Sequence, residues 1–524
     1  MIGEFWSINA PALLIAIPML GAFATPLLGK MGKTPRNLWI LLITALTFAT
    51  SALLAAEVYT TGPVIYTFGA VDPAVALVSD SGGIPVRIIF NVDAMSAFMA
   101  LMASVVGLVA GIYSLPSGKM KSGRDGYFSL LLLLLVGILG MVCTGDLFNF
   151  FVFLEISSLA GAALVAYRID KGVAVEAGLK YAFLSSLAGL IFLYAVALLY
   201  GQYDSLNIAV IAERMQFGFL DKVALALFLT GLAMKAGAVP MHFWMPDTYS
   251  MAPSAITAFL VVSSQASLYG VFRIAFTLYG LRLNYVTVGW FIIILGVLSM
   301  LVGVSMAILQ ENVKRLMAYH SISQTGYMLL GVGVGLAVLG DPAMMESFGL
   351  TAMEGGLFHL VNNAMYKGLL FLTAGAIFFR AGTHNLNKLG GLGHSMKLTM
   401  LFFIIGALAI AGIPPFNGFS SKLMIYESVF AFNPLLAIIA MVVSILTLAS
   451  FVKVFHAIFM GPKRGEYAGV NEVPVPMLAA MGILALLTVL MGIFPQQFVD
   501  LMIRPAAGAL VNQGSYIASV MGGL

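Results

Sequence analysis

Lys235 to Pro253 reads KAGAVPMHFWMPDTYSMAP, and the fold turns on this stretch. A lysine stands near the end of an apolar run that begins around Phe219, and Pro240 follows five residues later. A polar, aromatic-rich segment then separates that run from the next. Proline removes a backbone donor and breaks a helix, freeing nearby carbonyls. Inside a bilayer such a break survives only where it is buried in protein or lines a watered cavity. A charge beside a broken helix is the arrangement that ion transporters use at their working sites. The alternative is a lysine that snorkels to the surface from a helix end.

Composition extends this reading to the whole chain. The 524 residues are 61% hydrophobic and only 9% charged, whereas a soluble domain carries roughly a quarter charged residues. Apolar runs of about 20 residues, the length that crosses a bilayer as a helix, recur from end to end. The expectation is an all-α polytopic membrane protein with no separate soluble domain. A net charge of +4 carries no nucleic-acid argument, and no nucleic-acid partner is expected. The single cysteine, Cys143, excludes internal disulfides and argues against a cysteine metal site. The first span, 8–28, is too long for a signal peptide and is read as retained.

Hydropathy predicts about fourteen spans. They lie near 8–28, 38–56, 93–114, 127–144, 147–167, 174–200, 219–239, 254–279, 286–309, 316–339, 354–379, 399–430, 434–460 and 475–497. The connection 57–92 holds the alternating stretches VIYTF and VRIIF, which predict an external hairpin. The tail after Pro495 is weakly amphipathic and is expected to lie along the membrane. Lys30, Lys33, Arg36, Lys119, Lys121, Arg124, Arg168 and Lys171 fall on one side. Lys314, Arg315, Arg380, Lys388, Lys397, Lys463 and Arg464 join them. The positive-inside rule makes that side cytoplasmic, so both termini are external and the protein is multi-pass in the cytoplasmic membrane.

The span at 399–430 is too long for one crossing and contains Pro414-Pro415, so it is broken too. Its break lies five spans after the first. Five is odd, so the two units face opposite ways, the mark of an inverted-topology repeat. The expected division is 1–126 for the N-terminal spans and hairpin, 127–284 for the first repeat, 285–460 for the second, and 461–524 for the last span and tail. Each five-helix repeat holds one broken helix, near 235–253 and 414–422.

A charge at the bilayer centre costs roughly 2.5–3.5 kcal/mol on insertion scales and normally marks a pathway. Glu155 is central in LFNFFVFLEISSLAG, beyond the reach of snorkelling, which leaves function or a structural ion pair. Lys180 follows Glu176 by four residues, so a local pair on one helical face explains it as well as function does. His320, Ser323, Gln324 and Tyr327 recur at helical spacing, as do His359, Asn362, Asn363, Tyr366 and Lys367. Such stripes face protein or water, either as interhelical hydrogen bonds or as a hydrated path. Lys422 sits just past the second break, and Lys453 and His456 are read as snorkelling. No Rossmann, Walker A, haem or iron–sulfur pattern accompanies these groups, so no cofactor or metal is expected in this chain. A row of titratable groups without a redox centre points to proton or cation translocation.

At these residues the chain resembles the antiporter-like subunits of respiratory complex I, Mrp-type cation/proton antiporters and membrane-bound hydrogenases. Lys235 to Pro253 is similar to their lysine–proline–histidine–tryptophan–proline–aspartate signature, and KRLMAYHSISQTGYMLLG at 314–331 to another segment. The wording AYHSISQ and PPFNGFSSKL is closer to the Mrp-type antiporter and archaeal hydrogenase branches than to the distal member in complex I. The resemblance implies that Glu155 and Lys235 form a gating pair. Lys180, His359 and Lys367 match further functional positions, and Lys422 would be the terminal donor. Many relatives carry a lysine where this chain has Gln265, in SSQASLYGVFRI. Glutamine holds a water but takes no proton near neutral pH, so the relay would use water there, or His320.

The expected function is a proton-translocating subunit of a multi-subunit membrane complex, either a membrane-bound hydrogenase-type oxidoreductase or an Mrp-type sodium/proton antiporter. Other membrane subunits are its partners, and they carry out the redox chemistry or transport sodium. No catalytic chemistry is expected of the chain alone. The alternatives are a self-sufficient sodium/proton antiporter and a quinone-binding subunit of a complex I-like NADH dehydrogenase.

Overall fold

Without water at hand, each peptide group in a bilayer must be satisfied within its own segment, so apolar runs become helices. A computed structural model describes residues 2–69, 87–116, 123–462, 464–467 and 469–522. Lys119, Lys121 and Lys463, which enter the charge count above, lie outside the described residues. Helices α1 (Ile2–Lys30) and α2 (Lys33–Thr61) lead to the antiparallel strands β1 (Val64–Thr67) and β2 (Ile89–Val92). Their register pairs Val64 with Val92 and Thr67 with Ile89, forming the expected hairpin.

Helices α3 (Ala94–Tyr113), α4 (Arg124–Cys143), α5 (Leu147–Val165) and α6 (Gly172–Tyr203) follow, with a short α7 (Ile208–Arg214). The first break separates α8 (Phe219–Ala236) from α9 (Trp244–Met251) and α10 (Ser254–Phe272). A π-helical segment, Arg273–Tyr279, prolongs α10. Next come α11 (Tyr285–Ile308), α12 (Val313–Ala337), the one-turn α13 (Pro342–Met344) and α14 (Leu350–Ala381). The second break lies between α15 (Lys397–Ala411) and α16 (Asn417–Phe432), before α17 (Pro434–Phe459) and α18 (Val475–Ile493). The tail forms α19 (Pro495–Phe498), α20 (Arg504–Val511) and α21 (Gln513–Met521).

A helix occupies every range expected to cross the bilayer, and among the described residues eleven are long and apolar enough to do so. The molecule is an all-α polytopic membrane protein. The span from Ser254 is 100% buried, against 33% for α1 and 39% for α6, so α10 runs through the centre. α14 packs against it and α12 packs against α14, and the polar stripes of both face protein.

Both breaks share a local sequence, Ala236-Gly237-Ala238-Val239-Pro240 and Ala411-Gly412-Ile413-Pro414-Pro415. Gly237 and Gly412 take φ of 72° and 77°, a left-handed turn that a Cβ would resist. The groups freed by each break find side-chain partners. The Val239 N–H donates to Ser299 Oγ of α11 at 3.0 Å, and the Trp244 indole to the Met234 carbonyl at 2.8 Å. At the second break Lys422 Nζ donates to the Ile410 carbonyl at 2.8 Å, and Ser444 Oγ to that of Ala411 at 2.9 Å. The tail docks on the bundle: α20 buries Ala506, Ala507 and Leu510, packing on α3, and Gln513 donates to the Thr277 carbonyl at 2.9 Å.

Helix α18 rests directly on the second break. A Cβ at Gly492 would stand 2.1 Å from the Pro415 carbonyl oxygen and 2.5 Å from the Asn417 nitrogen, both backbone atoms that cannot swing aside. Gly492→Ala should therefore destabilise the protein by about 1–3 kcal/mol. Gly201→Ala, on a helix surface with nothing within 4 Å, should be neutral or stabilising by about 0.4–1 kcal/mol. Melting curves of the two variants in detergent check this, and equal midpoints would contradict the packing described.

Candidate functional site

The first half of the site joins α5, α6 and α8. Glu155 and Ser158 stand one turn apart on one face of α5. Lys235, 6% exposed in the last turn of α8, donates to Glu155 Oε1 at 3.3 Å and also to Ser158 Oγ. The lysine also lies at the end of α8 where the helix dipole favours a cation. Gly189 of α6 leaves the room that the carboxylate fills, since a Cβ there would stand 2.2 Å from Glu155 Oε1. Tyr181, buried on α6, lies beside Ser263 of α10 and within the field of Glu155, carrying polar character from the pair toward the centre.

Lys180 sits elsewhere. Its ammonium meets Glu176 at 2.7 Å, the pairing that the four-residue spacing predicts, and Asp247 at 3.2 Å. Asp247 also receives Arg315 at 2.5 Å. The Lys180 side chain is 49% exposed, so the cluster lies on the surface of the chain, not in the Glu155–Lys235 pocket.

The centre is a hydrogen-bonded row. Gln265 Nε2 donates to the Leu360 carbonyl of α14 at 2.9 Å, next to His359. The His359 ring bridges Ser421 Oγ of α16 and Gln324 Oε1 of α12, each at 3.0 Å. Tyr366 closes the group at 3.2 Å from both Gln324 and His359. His320 pairs with Ser450 of α17 at 2.8 Å, apart from Gln265. Lys367 donates to the Met317 carbonyl at 2.6 Å. Lys422 donates to Ser444 Oγ at 2.9 Å and lies 4.8 Å from the Tyr327 ring centroid. Among the described residues no carboxylate pairs with Lys367 or Lys422, in contrast to Lys235.

Several buried polar atoms along this row have no protein partner among the described residues: Gln265 Oε1, His320 Nδ1, Gln324 Nε2, Asn362 Oδ1 and Asn363 Oδ1. Such atoms left without a partner cost about 1–3 kcal/mol each, and they are where buried water binds. Asn417 of α16 adds two more.

Periodicity and position do not single out Ser158, Tyr181, Gly189, Ser263, Asn417, Ser421, Ser444 or Ser450. Small and aromatic residues are common in membrane helices, so only the fold identifies these. Lys314, counted as a cytoplasmic loop cation, is 1% exposed and donates to the Ala252 carbonyl beside Pro253. Arg273 and Asp93, 180 residues apart, form a buried ion pair that no local pattern announces.

The family described as NADH:quinone oxidoreductase/Mrp antiporter, TM (transmembrane), matches residues 144–447. NADH-quinone oxidoreductase subunit N of Desulforudis audaxviator is 29% identical over 95% of this chain and 98% of its own length. A chain of the Mrp complex from Dietzia sp. superposes with a TM-score of 0.85 at 27% identity, covering 98% of this chain and 99% of its own. A chain of the membrane-bound sulfane sulfur reductase, an archaeal respiratory membrane complex, gives 0.84 at 29% identity, covering 98% and 100%.

The tight seat of Glu155 against Gly189 yields a test. Gly189→Ala should push the carboxylate off Lys235 without removing either charge. Losing one charge-assisted hydrogen bond, about 1.5–3 kcal/mol, corresponds to roughly a tenfold or larger fall in any step that needs the pair. Driven proton uptake per assembled complex checks it, and an unaltered rate would mean that the contact is incidental.

Proposed function

This chain belongs to the NADH:quinone oxidoreductase/Mrp antiporter transmembrane family, and from that premise we propose that it moves protons as an antiporter-like subunit of a multi-subunit membrane complex. The observation that carries the reading is the Lys235–Glu155 contact at 3.3 Å, set where α8 breaks. Each charge alone is expensive at bilayer depth, and their attraction offsets the desolvation of both. When the two separate, that compensation is lost and the lysine's proton is free to move on. Gln265, His359 and Lys367 continue the route across the centre, with His320 beside it, and Lys422 delivers the proton at the second break. Gln265 cannot itself carry a proton, so the route there runs over water held by its free carbonyl oxygen. Lys180 takes part from the surface cluster with Asp247, where a neighbouring subunit can reach it. Sodium, where it moves, passes through partner subunits.

The same proposal includes fourteen spans, two inverted repeats at 127–284 and 285–460, flanking units at 1–126 and 461–524, and both termini external. The two Ala-Gly-x-x-Pro breaks support it. So does a second correspondence: Asp146 bridges to Asn207 and Asn312 to Asn385, each joining the start of one helix to the segment beyond the next. Asp146 caps α5 and Asn312 caps α12 by accepting from the third residue on. Counting crossings sets these matching bridges on opposite faces.

Glu155→Gln should abolish driven proton uptake in inverted vesicles while the complex assembles normally, and Glu155→Asp should retain part of it. Uptake at the parent rate in Glu155→Gln would refute the translocating role. Orientation is tested separately with a Lys388→Cys substitution in a Cys143-free background. An impermeant thiol reagent added outside should leave that cysteine unlabelled, and strong labelling would reverse the topology.

A further inference from the structure

Above the Glu155–Lys235 pair lie three buried aromatic rings. Phe150 stacks on Phe192 with centroids 5.3 Å apart, and Phe192 meets Phe228 edge-on at 4.8 Å. Phe150 precedes Glu155 on α5, Phe192 follows Gly189 on α6 and Phe228 precedes Lys235 on α8. In all three helices the ring is therefore displaced from the pair toward the same end of the bundle, the end that carries the hairpin and the tail. On the far side of this layer is a small cavity, about 10 Å³ of room for water centres, bounded by Phe150, Phe192, Thr144, Tyr269, Arg273 and Tyr516. That is about one water molecule.

Among the described residues, the one charged group on the cavity wall is Arg273. Its guanidinium is held from every side. Nε donates to Tyr269 Oη at 2.9 Å, Nη1 to Thr277 Oγ1 at 3.3 Å, and Nη2 to Ser96 Oγ at 3.0 Å and to Asp93. Asp93 caps α3, accepting from the Ser96 N–H at 2.9 Å, and does not line the cavity. The positive member of the pair thus faces the cavity and the negative member stands behind it. Tyr516 of α21 covers the guanidinium with its ring centroid 5.3 Å away. A buried ion pair gains little stability over apolar packing, so its presence here calls for another reason. A fixed arginine beside a narrow path is how pores exclude protons and cations.

We infer that the Phe150–Phe192–Phe228 layer and the cavity-facing Arg273 together form a barrier that keeps protons on the Glu155–Lys235 pair from escaping directly to the outer face. The inference rests on the proposed proton role of that pair and assigns it a one-sided access. A proton leaving outward would have to cross a dry aromatic layer and then pass a permanent cation, whereas the route toward Gln265 meets neither. Arg273 is a positioning residue in this scheme, with no part in carrying the proton.

The test uses the assembled complex in inverted vesicles, with an imposed pH gradient and no driving substrate. The decay of that gradient, read with a pH-sensitive dye, measures the leak. Arg273→Gln should accelerate the decay at least fivefold, and Arg273→Lys should keep the vesicles tight. Asp93→Asn/Arg273→Gln removes both charges, so neither member is left unpaired, and should leak like Arg273→Gln. Adding Glu155→Gln should restore tightness, because the leaking proton comes from the pair. An assembled Arg273→Gln or double variant no leakier than the parent would overturn the barrier. So would a leak that persists undiminished with Glu155→Gln, since it would then pass by another path. Failure of the translocation reading is told apart by driven uptake: if Glu155→Gln alone pumps normally, the pair carries no protons, whatever the leak.

Discussion

The contact between Lys235 and Glu155 is the constraint from which much of this structure follows. Two opposite charges held in a bilayer need each other, and they need a place where helices can be interrupted without exposing backbone to lipid. Gly237 ends α8 just beyond the lysine, and Ser299 and Trp244 satisfy the groups that the break frees. Gly189 opens the space for the carboxylate, and Ser158 fixes the ammonium from the other side. Remove the pair and these accommodations have no purpose.

The second half solves a similar problem differently. Lys422 is fixed by a carbonyl freed at its own break and by Ser444, and Lys367 by a helix carbonyl. Neither faces a carboxylate among the described residues. The charge at one end is thus balanced by an ion, and at the other by dipoles, which are weaker and easier to rearrange. Between them the His359, Gln324 and Tyr366 group and the free amide oxygens of Gln265 and Asn363 offer sites for water. In the proposed function, a strong anchor, a polar middle and a weakly held far end would serve the movement of a proton.

How far the sequence could be read depended on whether the signal was local. The two breaks, the hairpin strands and the Glu176–Lys180 pair depend on residues within a few positions of one another, and each appears in the fold. Glu155 was visible because no local partner explains it. The partners themselves were not visible: Ser158, Tyr181 and Ser444 look like any other small or aromatic residues in membrane helices. Lys314 reads as a loop cation because hydropathy cannot see the Ala252 carbonyl that takes it inward. The Asp93–Arg273 pair spans 180 positions, and the tail that covers it reads only as weak amphipathicity. Packing, not pattern, sets those features.

The central claim is that Glu155 and Lys235 act as one unit in moving protons. Its most direct measurement is a double-mutant comparison of driven proton uptake in inverted vesicles, normalised to assembled complex. Residues that share one function lose it together, so their effects do not add. Glu155→Gln and Lys235→Met should each abolish uptake, and the double substitution should be no worse than either one. Partial uptake in each single variant, with the losses multiplying in the double, would mean that the two residues serve separate routes and that the contact is structural.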